Sequence, residues 1–197
     1  MKRILSLFFL CLCLQLASNE IDTWSSPTTI STTGVNSTNP VIGMDSSGNA
    51  VAAWIQNGVL VSKNKPVGSA WSSATTLSGS GASVPQIVVD LSGNATVVWV
   101  EGGVVRSAAK PFGSAWSSAT NLSGGSSSAP QIAVDSDGNV VAVWITSGTV
   151  QSKTKLFGMS WSMSGDVLST TGSAAPQVAI GSNGDVVAVW HTLNGVT

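Results

Sequence analysis

The 197-residue chain has no tyrosine, one histidine (His191) and two arginines (Arg3 and Arg106), and its two cysteines, Cys11 and Cys13, lie close together near the N-terminus. Only 9% of residues are charged and the net charge is −1. No basic field exists to hold a phosphate backbone or an anionic bilayer, so nucleic-acid binding is excluded as a reading. A lone histidine with no cysteine cluster offers neither a soft metal site nor an obvious Ser/His/Asp arrangement. His191 reads as a strand residue that tolerates a polar group. No catalytic residue, metal site or cofactor is expected.

Basic Lys2 and Arg3, an apolar run over residues 4–16 and small or polar residues at 17–19 form the three parts of a secretory signal peptide. The run is short for a bilayer span. The expected organisation is a leader at 1–18, cut after Ala17 or Ser18, and a repeat domain at 19–197. Leu10 and Leu12 stand before the cysteines where lipidation wants a small residue. Loss of Lys2 and Arg3 takes the net charge to −3, and loss of both cysteines leaves an exported chain without disulfides.

What the chain does have is a repeat. PVIGMDSSGNAVAAWI at 40–55 returns as PQIVVDLSGNATVVWV at 85–100, PQIAVDSDGNVVAVWI at 130–145 and PQVAIGSNGDVVAVWH at 176–191. Each reads as strand, tight turn, strand, with Gly48, Gly93, Gly138 and Gly184 supplying the left-handed residue of the turn. Trp54, Trp99, Trp144 and Trp190 step by 45, 45 and 46 residues. A second series, Trp24-Ser25-Ser26, Trp71-Ser72-Ser73, Trp116-Ser117-Ser118 and Trp161-Ser162-Met163, keeps nearly the same period. A period near 45 residues is that of a four-stranded propeller blade. In the third unit the strands are expected at 131–135, 139–145, 149–155 and 161–168. Residues 140–145 are apolar at every position, so this strand must be covered on both faces, as in sheets stacked around an axis.

The expectation is therefore an all-β chain, a β-propeller of four units of about 45 residues starting near Pro40, Pro85, Pro130 and Pro176, the last incomplete. Two geometries fit. In a closed four-bladed ring, the strand at 24–30 completes the last blade; otherwise the chain is a fragment or protomer of a larger ring.

Ser62-Lys63-Asn64-Lys65-Pro66-Val67-Gly68-Ser69-Ala70-Trp71, echoed at 107–116 and 152–161, resembles a degenerate Asp-box of sialidase-like propellers: Ser62, Gly68 and Trp71 match in type and Asn64 stands for the Asp. In that family the box is a folding element remote from the active site, so the resemblance implies blade architecture and transfers no catalytic residue. Such enzymes use an arginine cluster and a tyrosine nucleophile, which this sequence does not have. The Asp135-Ser136-Asp137-Gly138-Asn139 turn fails the spacing of a calcium loop and reads as a hairpin whose Asp bonds turn amides.

The recurring tryptophans read first as core wedges that every blade needs to pack; as ligand-binding candidates, Trp54, Trp99 and Trp144 have indole faces that suit sugar stacking, and Glu101 and Arg106 break the repeat with Lys110. Gln56 and Asn57 mark the first unit in the same way. The functional expectation is an exported, non-enzymatic module that binds or scaffolds a protein or glycan in the cell envelope, periplasm or outside, with no membrane span after leader removal and with homo-oligomers possible. The alternatives are a lectin with repeated Trp pockets, and a hydrolase-like or inactive fragment of a longer gene.

Overall fold

A computed structural model describes residues 26–192. The leader and Trp24 lie outside them. The described residues form fourteen strands in four successive antiparallel sheets. The first contains β1 (Ser37–Met44), β2 (Ala50–Gln56), β3 (Val59–Lys65) and β4 (Thr75–Ser80); the second β5 (Ala82–Val89), β6 (Ala95–Glu101), β7 (Val104–Lys110) and β8 (Thr120–Asn121). The third has β9 (Ser127–Val134), β10 (Val140–Thr146), β11 (Thr149–Lys155) and β12 (Asp166–Val167), and the fourth only β13 (Ser173–Ile180) and β14 (Val186–Thr192). Within each, strand order follows chain order.

Two-residue loops at Asn57-Gly58, Gly102-Gly103 and Ser147-Gly148 join second to third strands, all with positive φ, the backbone of a turn that matches strand twist. Gly48, Gly93, Gly138 and Gly184, at φ 82 to 88°, take the turn position that the repeat assigns them. Inner strands β1, β5, β9 and β13 each carry a bulge at the residue before proline, where Asn39, Val84, Ala129 and Ala175 sit at φ 41 to 51°.

Successive residues of a strand point to opposite faces, and that alternation divides the core between neighbouring sheets. Trp99 and Val97 on β6, with Ile87, meet Ala53, Ile55 and Leu60 of the first sheet. Trp144 and Ala142 meet Val98, Val105 and Leu122 of the second; Trp190 and Ala188 meet Val143, Ile145 and Val150 of the third. One face of β6 and of β10 thus seals against the sheet before and the other against the sheet after, while the outer face of β2 is covered by Ile30. The all-apolar second strands are buried on both sides in sheets one to three, as their sequence requires. Close approach is also needed at the inner strands: a Cβ on Gly43 would stand 2.6 Å from Val89 Cγ2.

Two expectations are corrected. The fourth strand of the third sheet, expected over 161–168, is only β12 plus a single bridge between Lys155 and Trp161. Side-chain hydroxyls take the place of ladder bonds: Ser162 Oγ accepts Thr154 N–H at 3.3 Å and Ser169 Oγ accepts Val150 N–H at 2.8 Å. And of the two geometries expected, the described residues do not form the closed four-bladed ring. Ile42 and Met44 on β1, and Val187 and Val189 on β14, are solvent-exposed where closure would bury them. The described residues form an open arc.

Candidate interaction surface

The Asp-x-x-Gly-Asn turn builds one rim of the arc. Asp45 Oδ1 accepts the Ser47 and Asn49 N–H groups at 2.9 and 2.8 Å, and Asp45 Oδ2 accepts Asn49 Nδ2–H at 2.7 Å. Asp90 and Asp135 repeat this with Ser92, Asn94, Asp137 and Asn139. The Asn49 side-chain amide is the leading influence holding the Asp45 carboxyl below its ordinary pKa; burial opposes it and the turn amides assist. For Asp135, burial alone would raise the pKa, but the bonds from Asn139, Asp137 and Gly138 together outweigh it and the net shift is downward.

The turn Asn has a second role. Its Oδ1 accepts the backbone N–H of the loop that follows the third strand: Asn49 from Val67 at 2.9 Å, Asn94 from Phe112 at 2.9 Å, Asn139 from Phe157 at 3.0 Å. Each Phe ring then lies over its own turn glycine, so that a Cβ on Gly93 would stand 2.6 Å from Phe112 Cδ2 and one on Gly138 would stand 2.8 Å from Phe157 Cδ2. The loops are anchored, yet both rings remain 59% exposed. Leu91, Leu156 and Met159 join them as exposed apolar groups on neighbouring loops. Lys65, Lys110 and Lys155 end β3, β7 and β11 beside these loops. Apolar groups are thus exposed side by side on this rim, bordered by charge.

Clefts lie between the sheets on this rim. One of 160 Å³ between the second and third sheets is lined by Asp90, Lys110, Lys155 and Phe157, and one of 280 Å³ between the first and second by Asn49, Lys110 and Phe112. Lys110 borders both, and desolvation lowers its pKa. Among the described residues the salt bridge is elsewhere, Arg106 Nε to Glu101 Oε2 at 3.8 Å, leaving the rim lysines outside any such pair.

The residues singled out from the sequence fall in other places. Trp99 and Trp144 are buried between sheets, Trp99 fully so, and Trp54 is buried between the first sheet and Ile30 of the N-terminal segment. Their indole N–H groups donate to Gln56 Oε1, Glu101 Oε2 and Thr146 Oγ1 at 3.4, 3.0 and 2.9 Å. None of these three presents a ring face to a ligand. Glu101 is thus a cap for Trp99, and Arg106 an adjunct to Glu101, its Nε buried 3.8 Å from the same carboxylate oxygen. Gln56 caps Trp54 and also accepts Thr32 N–H at 3.1 Å, tying down the N-terminal segment. His191 is exposed on β14. No cluster of three or more His, Cys, Asp or Glu fit for a metal occurs among the described residues, and none of their helices is long and apolar enough to cross a membrane.

Phe112 and Phe157, outside the apolar run of 4–16 the only phenylalanines, are not among the candidates read from sequence, and Lys110, read there as breaking the repeat, is instead the equivalent of Lys65 and Lys155. Their 45-residue spacing just after the third strand was the available signal.

Comparison with known proteins supports this architecture. No protein-family model and no curated protein matches the chain. Among solved structures it is similar to the Dos1 propeller, at 10% identity and TM-score 0.53, with 75% of this chain matched to 41% of that one. It is similar as well to selenomethionine-substituted virginiamycin B lyase from Staphylococcus aureus, at 12% identity and TM-score 0.54, covering 82% of this chain and 60% of that one. The fold is a β-propeller fold. The chain spans less than two thirds of the length of these propellers.

Proposed function

We propose that the protein is an exported, non-enzymatic binding module that grips an apolar, acidic segment of a partner protein on the Asp-Asn turn rim. The observation that carries this is the row of anchored loops holding Phe112 and Phe157 out into solvent beside Lys65, Lys110 and Lys155. Exposed aromatic rings on fixed backbone lose little freedom on binding, and adjacent ammonium groups select carboxylates. The leader-like N-terminus supports an envelope or extracellular setting. The turns at 62–71, 107–116 and 152–161, closed by Ser69 N–H to Pro66 O, Ser114 N–H to Pro111 O and Met159 N–H to Leu156 O, serve as folding elements in the manner the Asp-box resemblance implies.

A displayed peptide library panned on the protein tests the reading. Enriched peptides should pair Asp or Glu with aromatic or aliphatic residues, weaken as salt rises, and lose binding to a Phe112→Ser/Phe157→Ser variant. Enrichment of peptides indifferent to that variant would overturn it.

A lectin reading is favoured by a separate feature: half-buried Trp71 and Trp161 line open grooves of 860 and 370 Å³ with Lys63 and Lys153. It predicts glycan-dependent quenching of tryptophan fluorescence that Trp71→Ala and Trp161→Ala reduce and the Phe variants do not.

A further inference from the structure

Among the described residues, the two ends of the arc are open halves of the same interface. On the face that points to the next sheet, Val98 and Val143 are fully buried, whereas the equivalent Val189 is 58% exposed; Val141 is 2% exposed and its equivalent Val187 is 63% exposed. On the face that points to the preceding sheet, Ile87 packs into the first core cluster and Ile132 into the second, whereas the equivalent Ile42 is 61% exposed. Val89 fits against Gly43, and its equivalent Met44 is open. Each end thus displays what the other lacks, in the register used at every interior junction.

The geometry points to a second copy of this chain as the occupant: the β1 face of one copy docks on the β14 face of the other, continuing the sheet-to-sheet interface. Ile42 then meets Val189 and His191, as Ile87 meets Ala53 and Ile55, and Met44 sits on Ala179 as Val89 sits on Gly43. The N-terminal segment is already placed for this, since Ile30 packs on Trp54, Ala52 and Val61 as Leu77 packs near Trp99. The contact is heterologous and needs a closed ring to end it. Two copies of a four-sheet chain make eight sheets, the top of the range of roughly four to eight that propellers use. Both similar propellers are longer chains, so four sheets cover only part of such a ring.

Light scattering at the highest soluble concentration should give twice the chain mass. Ile42→Glu and Val189→Glu, both at exposed positions and with unchanged circular dichroism, should each return it to the single-chain mass. In a Cys11→Ser/Cys13→Ser background, Met44→Cys and Ala179→Cys chains should form a mixed disulfide under oxidation when combined, and none when kept apart. A single-chain mass for the unaltered protein, retention of the dimer by either Glu variant, or cross-linking within one Cys variant in place of the mixed product would overturn the proposal.

Discussion

Val84 is a β-branched residue at φ 41°, a region whose crowding of Cβ against backbone costs about 1–2 kcal/mol. The equivalent position in the first sheet is Asn39, a residue that tolerates this conformation. Val84 is also partly exposed, so replacing it forfeits little burial. Val84→Asn should therefore stabilise the protein by about 0.5–1 kcal/mol, read as a higher urea midpoint at unchanged slope. Two glycines make a matched pair in the opposite sense. Gly184 at φ 82° has nothing near its missing Cβ, and Ala there should cost only the backbone term of about 1 kcal/mol. Gly93 at φ 85° faces Phe112 Cδ2 at 2.6 Å and Asp45 Oδ2 at 2.8 Å, so Gly93→Ala adds a further 1–3 kcal/mol or so of overpacking. The turn aspartates set the acid limit. Asp45 and Asp135 have folded pKa values below their unfolded ones, so the stability they contribute is complete above the ordinary aspartate value of about 3.9 and is lost as pH falls through the folded values. Melting temperature should be level from neutral pH to about 5 and drop below 4; Asp45→Asn/Asp135→Asn should be less stable at pH 7 and less steep in that acid window.

At the scale of the strand, burial on both faces decides the energetics. Trp99 is wedged between two complete sheets and Trp190 between a complete sheet and an open one, where it is half-buried. Trp99→Ala should cost about 3–5 kcal/mol and Trp190→Ala clearly less, measured by denaturant unfolding followed by circular dichroism. This two-sided covering was legible in the sequence because an all-apolar run such as VVAVWI admits no solvent face, and the hairpins were legible because glycine has a steric reason to recur in each turn. The short fourth strands of the second and third sheets were not: a Trp-Ser-Ser segment with scattered apolar residues reads as strand, but its serines bond third-strand amides directly, as Ser117 Oγ does with Ala109 N–H at 3.1 Å and Ser123 Oγ with Val105 N–H at 2.8 Å. The Phe rim was hidden by the logic that placed the tryptophans correctly. Periodic apolar residues are read as core, and only the position of Phe112 and Phe157 on loops, beyond the strand ends, separates them from it.

For the molecule as a whole, a stack in which each sheet touches mainly its neighbours has stability that adds along the array and need not be lost at once. The first sheet has its Trp54 face capped by Ile30 and the second and third are enclosed, but the fourth leaves Val187 and Val189 in water. Local opening should therefore begin at β13–β14, where the free energy of opening is smallest. Hydrogen exchange should show β14 amides exchanging well before those of β6 and β10, although all three strands have nearly the same sequence. The difference is one of coverage and not of propensity, so it depends on what lies against the open face. If the β1 face of a second copy covers it, β14 protection must rise with protein concentration, and Val189→Glu must abolish that rise while leaving β6 protection unchanged. Slow exchange of β14 in dilute protein, equal to that of β6, would mean that the fourth sheet is already sealed within a single chain and that the arc closes on itself.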